Sequence, residues 1–414
     1  MLTSSLETKS DPLQTAALTS VPGAHASSQA SLSGDARRQI RILHVLGSMD
    51  PGGVESWLLN LLKYIDRDIF QFDFCTCGTS AGLYANEIEA LGGKLLRCPK
   101  ARNLWSFRRR FRKILREGQY DVLHSHVYLF SGVLLRWATS EGIPIRIAHS
   151  HTSRDDKVVT QARHYYQVLM KSWINRYATR GLAVSEAAAA ELFGNDSKVR
   201  RRVNILPCGI DLSAFQDPLD TSEIRKEIGL PLDASVVGHV ANFIPVKNHS
   251  FLLDVATQIL KTQTNVHFLL VGDGPLRAQI QAEATVRGLI NRMHFVGTRT
   301  DVPRLMRGAM DFYLFPSRNE GLGVSVLEAQ AAGLKCLVSD SIPREVSRFP
   351  GSVEFLPLSA GVDRWTQQVI LRLSETCSRH PLALDKSVRD PISIHESVRD
   401  LTGIYLGSAS GHHA

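Results

Sequence analysis

The sequence contains no run of about 18 consecutive apolar residues, the length that an α-helix needs to cross a bilayer. We therefore expect no transmembrane helix. The first residues also lack a basic segment followed by an apolar one, which is the pattern of a secretory signal. Together these absences predict a protein of the cytoplasm.

Cysteines are few and have neither the spacing of a zinc site nor that of a disulfide framework. The six cysteines are Cys75, Cys77, Cys98, Cys208, Cys336 and Cys377. Cys75 and Cys77 alternate within the apolar run 72–77, which favours strand positions over metal ligands. This pattern predicts a reducing, cytosolic setting.

No RNP, helix-turn-helix or zinc-finger pattern accompanies the formal net charge of +8, so we expect no nucleic-acid partner. The basic excess fits an anionic ligand or an anionic membrane surface. Hydrophobic residues make up 43% and charged residues 21%, values typical of a globular protein. At ~100–200 residues per domain, a chain of 414 residues predicts two or three domains.

Two series of alternating strands and helices follow a polar beginning. Residues 1–38 are rich in Ser, Thr, Ala and Gln without an apolar period, which predicts a disordered tail. A β-branched strand over Ile40–Leu46, a glycine turn at 51–53 and an amphipathic helix form the opening unit of a doubly wound fold. A second series starts at Ser235–Val240. The sequence therefore predicts an α/β protein with two Rossmann-like, parallel-sheet domains.

The segment 207–218 interrupts this alternation and predicts an interdomain hinge. We accordingly predict an N-terminal domain over 39–210 and a C-terminal domain over 211–392. A last helix over 393–406 is expected to pack back on the N-terminal domain, and 407–414 to form a frayed end.

The most informative segment, residues 315–329, reads FPSRNEGLGVSVLEA. It follows a predicted strand and leads into a helix that begins near Gly323. Ligands of open α/β sheets bind at the carboxyl ends of strands, and a glycine-rich helix N-terminus attracts anions. Glu320 and Glu328 flank this turn and can accept hydrogen bonds from sugar or ribose hydroxyls. The alternative is a glycine turn with two glutamates that have no binding role.

This segment resembles the E-x7-E signature of the retaining family 4 glycosyltransferases of the GT-B fold, in which two Rossmann-like domains face a cleft. The resemblance extends from about residue 40 to residue 406 and includes the segments 51–55, 120–126, 182–185, 206–211, 271–275 and 296–299. The segments 124–132 and 146–152 are most similar to the corresponding segments of bacterial capsule and exopolysaccharide enzymes.

The resemblance implies transfer of a sugar from a nucleotide-sugar donor to a glycan or lipid-diphosphate-linked acceptor, with retention and without a cofactor or metal. It implies catalytic roles for His126, Glu320 and Lys247. Glu328 would bind the ribose, and Lys247 would stabilise the charge that develops on the leaving diphosphate. The implied donor-binding residues are Gly52, Gly53, Asn242, Lys247, Gly297, Arg299, Glu320, Gly321, Gly323, Val324 and Glu328.

Two histidine pairs, His124/His126 and His149/His151, end predicted strands, and each pair points to one side of its strand. The resemblance implies that His126 contacts the transferred sugar or the acceptor. A metal site is the alternative. We do not favour it, because no carboxylate or cysteine is obvious nearby and because the family works without a metal.

Two positions depart from the family pattern. Asn242 stands where an arginine is usual, five residues before Lys247, and Arg299 or Arg318 is a candidate to replace its charge. Cys208 stands where asparagine is usual. Asn242 keeps open a second hypothesis, a catalytically impaired carbohydrate-binding or scaffold protein. A sugar-nucleotide epimerase on the same fold is a further alternative.

Residues 105–116 combine six basic residues with an apolar stripe of Phe107, Phe111, Ile114 and Leu115. Such a helix can lie on an anionic membrane surface, which would make the protein peripheral to the inner face of the cytoplasmic membrane. Alternatively, the stripe packs on the sheet and the arginines are solvated.

Overall fold

The computed structural model describes residues 38–78, 82–98, 103–154, 160–375 and 392–407. Apart from residues 38 and 407, the predicted tail and the predicted frayed end lie outside these ranges, as does Cys377. Within them, no helix is both long and apolar enough to span a bilayer. The five described cysteines are all free thiols.

The N-terminal sheet contains seven parallel strands in the order β3-β2-β1-β4-β5-β6-β7. The strands are β1 (Ile40–Leu46), β2 (Phe70–Thr76), β3 (Lys94–Arg97), β4 (Val122–Ser125), β5 (Ile145–Ser150), β6 (Arg180–Ala183) and β7 (Val203–Ile205). The helices between and after them are α1 (Gly53–Tyr64), α2 (Ala85–Ala90), α3 (Leu104–Gly118), α4 (Ser131–Ser140), α5 (Gln161–Tyr177), α6 (Glu186–Phe193) and α7 (Ser197–Arg200).

The C-terminal sheet contains six parallel strands in the order β10-β9-β8-β11-β12-β13. The strands are β8 (Ser235–Val240), β9 (Val266–Val271), β10 (Met293–Gly297), β11 (Phe312–Phe315), β12 (Lys335–Ser339) and β13 (Val353–Leu356). The accompanying helices are α8 (Thr221–Glu227), α9 (His249–Thr262), α10 (Arg277–Val286), α11 (Val302–Gly308), α12 (Val324–Ala331), α13 (Gly361–Glu375) and α14 (Ile394–Tyr405).

These two sheets confirm the predicted pair of doubly wound domains. In each sheet the strand order reverses beside the first strand of the series, between β1 and β4 and between β8 and β11. Helices on both faces explain why a central strand such as β9 is buried along its whole length. A crevice opens at the carboxyl ends of the strands where the order reverses, and such crevices bind ligands.

The last helix, α14, contacts the N-terminal domain. The Tyr405 hydroxyl group lies 2.8 Å from Nδ1 of His124 in β4, and the Tyr405 ring packs near Phe70 and Phe72 of β2. The backbone of Ile210 also pairs with Ser393, just before the helix. The chain therefore crosses from the first domain to the second and returns.

Helix α3 turns its apolar stripe toward the core. Phe107 and Phe111 are fully buried, and both rings lie 6.2 Å from the ring of Trp137. The stripe is therefore unavailable to a membrane, whereas the basic outer face, Leu104 and the 71% exposed Trp105 lie at the surface.

Candidate active site

A cleft of about 620 Å³ separates the carboxyl ends of the two sheets. Ten of the predicted site residues line it: Gly52, Gly53, Asn242, Lys247, Arg299, Glu320, Gly321, Gly323, Val324 and Glu328. Gly297 and His126 lie outside the lining. The carbonyl group of Gly297 accepts a hydrogen bond from Gly272, and this bond supports the loop that carries Arg299 into the cleft.

Glycines allow the two domains to approach each other closely here. Gly323, the residue before α12, has a φ of 92°, which a side chain would strain. A Cβ atom at Gly321 would lie 2.1 Å from the carbonyl oxygen of His151 in the other domain. A Cβ atom at Gly53 would lie 3.1 Å from the Val324 side chain. The glycine loops of both domains therefore meet at the N-terminus of α12.

Lys247 and Glu320 form an ion pair within the cleft. Nζ of Lys247 lies 2.6 Å from Oε1 of Glu320, and Oγ of Ser317 donates a hydrogen bond to the same oxygen at 2.6 Å. The side chains of Lys247 and Glu320 are 18% and 11% exposed. Because two donors hold one oxygen of the Glu320 carboxylate, its orientation is fixed before any ligand binds.

Two serines of the N-terminal domain hold the Glu320–Gly321 backbone. Oγ of Ser185, fully buried, donates to the carbonyl oxygen of Gly321 at 2.6 Å. Oγ of Ser153 lies 2.5 Å from the carbonyl oxygen of Glu320 and 2.6 Å from Oδ1 of Asn319, and can donate to one of them at a time. No local sequence pattern predicts a role for these serines, because their partners lie in the other domain.

Two carboxyl groups in the cleft have raised pKa values. Burial raises the pKa of Glu328 to about 7 and that of Glu55, in the first turn of α1, also to about 7. Among the described residues, no hydrogen-bond donor contacts the Glu328 carboxyl group. Glu328 can therefore accept hydrogen bonds from a ligand without breaking internal ones. Glu55 occurs in the first glycine segment, 51–55, but the sequence alone predicted no role for it.

Arg299 and Arg318, the candidates to replace the charge of the arginine that is usual at position 242, lie in different places. Asn242 is exposed and lines the cleft. Arg299 also lines it, but its guanidinium group binds Asp301 at 2.7 Å and Glu227 at 2.8 Å, which raises its pKa. Arg318 is exposed and lies outside the cleft lining. Neither arginine supplies an unpaired positive charge at the position of Asn242.

His126 lies behind His151, which lines the cleft. Nδ1 of His126 is 2.9 Å from Nε2 of His151, and Nε2 of His126 is 3.1 Å from Nδ1 of His44. Both ring nitrogens of His126 are thus occupied. Burial lowers the pKa of His126 well below its ordinary value and that of His151 to about 3, so both rings are neutral at pH 7. The role of His126 stays a prediction, and His151 is the histidine that reaches the cleft.

The sequence matches the models of two families. The family described as Glycosyltransferase Family 4 matches residues 51–214, and Glycosyl transferases group 1 matches residues 220–346. The putative glycosyltransferase EpsF of Bacillus subtilis is 35% identical over 335 residues, which cover 80% of this chain and 87% of EpsF. The capsular polysaccharide biosynthesis glycosyltransferase CapH of Staphylococcus aureus is 27% identical over 313 residues, covering 74% and 83% of the two chains.

The fold is also that of a solved structure, HepE of Anabaena in complex with UDP and glucose. The two folds superimpose with a TM-score of 0.70 at 19% identity, covering 89% of this chain and 100% of HepE. At this identity the likeness establishes the fold alone. Together with the extent and identity of the match to EpsF, it leads to one conclusion: the chain is a glycosyltransferase and belongs to family 4, with the GT-B fold.

Proposed function

We propose that the enzyme transfers a sugar, with retention at the anomeric carbon, from a nucleotide-sugar to a glycan or lipid-diphosphate-linked acceptor in exopolysaccharide or capsule synthesis. The observation that carries this proposal is the grouping of Lys247, Glu320 and Glu328 around the N-terminus of α12. The name of CapH refers to capsular polysaccharide, and HepE binds UDP and glucose.

The donor would bind along the C-terminal wall of the cleft. The Glu328 carboxyl group would accept hydrogen bonds from the ribose, since no described donor occupies it. The backbone N–H groups of Gly323 and Val324 would bind the diphosphate, because the first N–H groups of a helix have no partner within it. Lys247 would transfer its contact from Glu320 to the diphosphate as negative charge develops on the leaving group.

Glu320 would contact the donor sugar. Its carboxylate is held by Ser317 and Lys247 at the end of β11, beside the proposed diphosphate site. Because Lys247 supplies the positive charge for the leaving group, we propose that transfer requires no metal ion. Addition of EDTA should then leave the rate unchanged.

The test is a calorimetric titration of the purified protein with UDP, GDP, ADP and their sugar conjugates in EDTA. We expect selective binding of one nucleotide and roughly 10-fold to 100-fold weaker binding by Glu328→Ala, the range for lost hydrogen bonds to a charged group. The exposed Glu89→Gln serves as the control. NMR analysis of the product anomer then tests retention, and an inverted product would refute the retaining mechanism.

A second candidate is a carbohydrate-binding or scaffold protein that has lost catalysis. The observation that favours it is Asn242, because neither Arg299 nor Arg318 replaces the missing charge. If no nucleotide binds, with or without Mg²⁺, the transferase proposal fails and this candidate becomes the better one. Nucleotide binding with turnover would eliminate it.

We also propose a peripheral contact between the outer face of α3 and an anionic membrane. Arg108, Arg109 and Lys113 are exposed, beside the exposed Trp105. Each such charge contributes about 1 kcal/mol near an anionic surface. Arg108→Gln/Arg109→Gln should therefore bind phosphatidylglycerol vesicles roughly 30-fold more weakly in sedimentation.

The matched control for this experiment replaces two exposed lysines outside α3, Lys198→Gln/Lys226→Gln. A specific contact through α3 would be contradicted if the parent bound phosphatidylcholine vesicles as strongly as phosphatidylglycerol vesicles. It would also be contradicted if the control variant lost as much binding as the α3 variant.

A further inference from the structure

Five histidines from three neighbouring strands form one cluster in the N-terminal domain. His44 belongs to β1, His124 and His126 to β4 and the residue after it, and His149 and His151 to β5 and the residue after it. The ring centroids of His149 and His151 lie 4.1 Å apart, and those of His126 and His151 lie 5.1 Å apart. The cluster reaches the cleft only through His151, as far as the described residues show.

Hydrogen bonds connect these rings in two chains. One chain runs from His44 through His126 to His151. The other runs from Tyr405 through Nδ1 and Nε2 of His124 to Nδ1 of His149, at 2.8 and 3.2 Å. Nε2 of His149 is buried and makes no hydrogen bond of ordinary geometry, although the backbone of Leu206 lies close to the ring. Nε2 of His44 is also buried without a hydrogen bond. An unpaired polar atom in a buried position needs a partner.

We propose that His126, His149 and His151 bind a divalent transition-metal ion of the Zn²⁺ type. One ring nitrogen of each lies within 4.8 Å of the others. We assign Nδ1 of His126, Nε2 of His149 and Nε2 of His151 as the ligands. Three imidazoles with a fourth position open to solvent are a recurrent zinc arrangement, and here the cleft would provide that opening.

The remaining nitrogens of the three ligands already have partners. Nε2 of His126 contacts His44 at 3.1 Å, Nδ1 of His149 contacts His124 at 3.2 Å, and Nδ1 of His151 lies 3.9 Å from the Cys208 thiol. Such contacts orient metal-binding histidines and fix their tautomers. The cluster therefore contains an orienting partner for each proposed ligand.

A second triad, His44, His124 and His126, also has nitrogens within 4.8 Å of one another. However, both nitrogens of His124 are occupied, by Tyr405 and His149, so an ion there would break one of these bonds. His44 and His124 are also fully buried, whereas His151 borders the cleft. The proposed triad has an entry path through His151. An ion there would break the contact between His126 and His151 and displace the Leu206 backbone from His149.

Three imidazole nitrogens determine which metal ions this site prefers. Imidazole suits Zn²⁺, Ni²⁺ and Cu²⁺ rather than Mg²⁺.

Binding requires a small rearrangement. Nitrogens about 2.0–2.1 Å from a tetrahedral ion are about 3.3 Å apart, whereas those of His126 and His151 are 2.9 Å apart. The ion would fasten the ends of β4 and β5 to each other, next to the contact between His151 and Gly321. The proposed sugar transfer depends on Lys247, Glu320 and Glu328 and needs no metal, so either proposal can fail without the other. His126 is shared only with the catalytic role that the family resemblance implies for it.

The experiment is equilibrium dialysis of metal-stripped protein against Zn²⁺, followed by elemental analysis, and against Co²⁺, followed by visible spectroscopy. We expect one ion per chain and the intense absorption of four-coordinate Co²⁺. His149→Gln should abolish the spectrum and weaken binding at least 100-fold. His44→Gln, which removes only an orienting contact, should keep the spectrum with 10-fold to 100-fold weaker binding.

Two further variants guard against misfolding and surface binding. His151→Gln, at the cleft edge, should also lose the spectrum. It replaces His149→Gln as the test if that variant fails to fold. The control His267→Gln/His294→Gln removes a separate histidine pair whose nitrogens lie 3.0 Å apart, and should bind Zn²⁺ normally. The proposal is overturned if the parent binds no ion, if the control loses it, or if His44→Gln loses the spectrum while His149→Gln keeps it.

Discussion

Replacing Glu328 by glutamine should stabilise the protein at pH 8 more than at pH 5. Burial raises the pKa of this carboxyl group from 4.5 to about 7 in the folded chain. Between these values the folded protein binds more protons than the unfolded one. The stability linked to Glu328 is therefore complete below pH 4.5 and is lost as the pH rises through about 7. Glutamine cannot ionise and does not incur this loss.

The magnitude follows from the same pKa difference. At about 1.4 kcal/mol for each pH unit, the difference between 4.5 and about 7 corresponds to at most about 3 kcal/mol. The carboxyl group borders the cleft, where water screens its charge. We therefore expect the stability difference between Glu328→Gln and the parent to grow by about 1–2 kcal/mol from pH 5 to pH 8.

Urea unfolding followed by circular dichroism at both pH values measures this difference. Glu55→Gln should behave similarly, because burial also raises the pKa of Glu55 to about 7. The exposed Glu89→Gln should show no pH-dependent gain. Parallel pH profiles for Glu328→Gln and the parent would refute the argument that ionising Glu328 costs stability in the unliganded cleft.

Three further predictions concern the cleft and the histidines. Lys247→Ala should lower kcat roughly 100-fold to 1000-fold in a steady-state assay, which is the range for removing one preorganised contact to developing charge. An unchanged kcat would exclude a role of Lys247 in stabilising the leaving diphosphate. Gly321→Ala should lower the unfolding free energy by about 1–3 kcal/mol in urea, because its Cβ would lie 2.1 Å from the His151 carbonyl oxygen; a neutral result would show that the loop can shift. Burial lowers the pKa values of His44 and His151 to about 3. The free energy of unfolding linked to these histidines is therefore complete above pH 6.5 and should fall as the pH drops toward 3. A melting temperature that stays constant from pH 6.5 to pH 4 would contradict this.

Local patterns predicted the elements whose apolar faces are regular. The sequence predicted a strand over Ile40–Leu46 followed by an amphipathic helix, and β1 spans Ile40–Leu46 before α1 at Gly53–Tyr64. Helix α5 was not predicted, because Tyr165, Val168 and Leu169 are exposed and obscure the apolar period of its buried residues. The short edge strand β13 was also missed, since all four of its residues are only half-buried.

The motifs predicted which loops form the site but not every contact within it. Lys247 and Glu320 are 73 residues apart, and their ion pair depends on how the ends of β8 and β11 align. The period of two predicted that His149 and His151 share one side of β5. The register of β4 against β5 and the contact with the second domain determine that His151, rather than His126, borders the cleft.

The backbone conformation of the loop before α12 depends on contacts with the N-terminal domain. Ser185 of the N-terminal domain donates a hydrogen bond to the carbonyl group of Gly321, and Ser153 can donate one to that of Glu320. In a trans peptide the following N–H group points the opposite way, so these serines also set the direction of the N–H groups of Gly321 and Leu322. Separation of the domains would release both carbonyl groups. The backbone before α12 therefore keeps this geometry only while the N-terminal domain is in contact with it, which would couple formation of the proposed donor site to closure of the cleft.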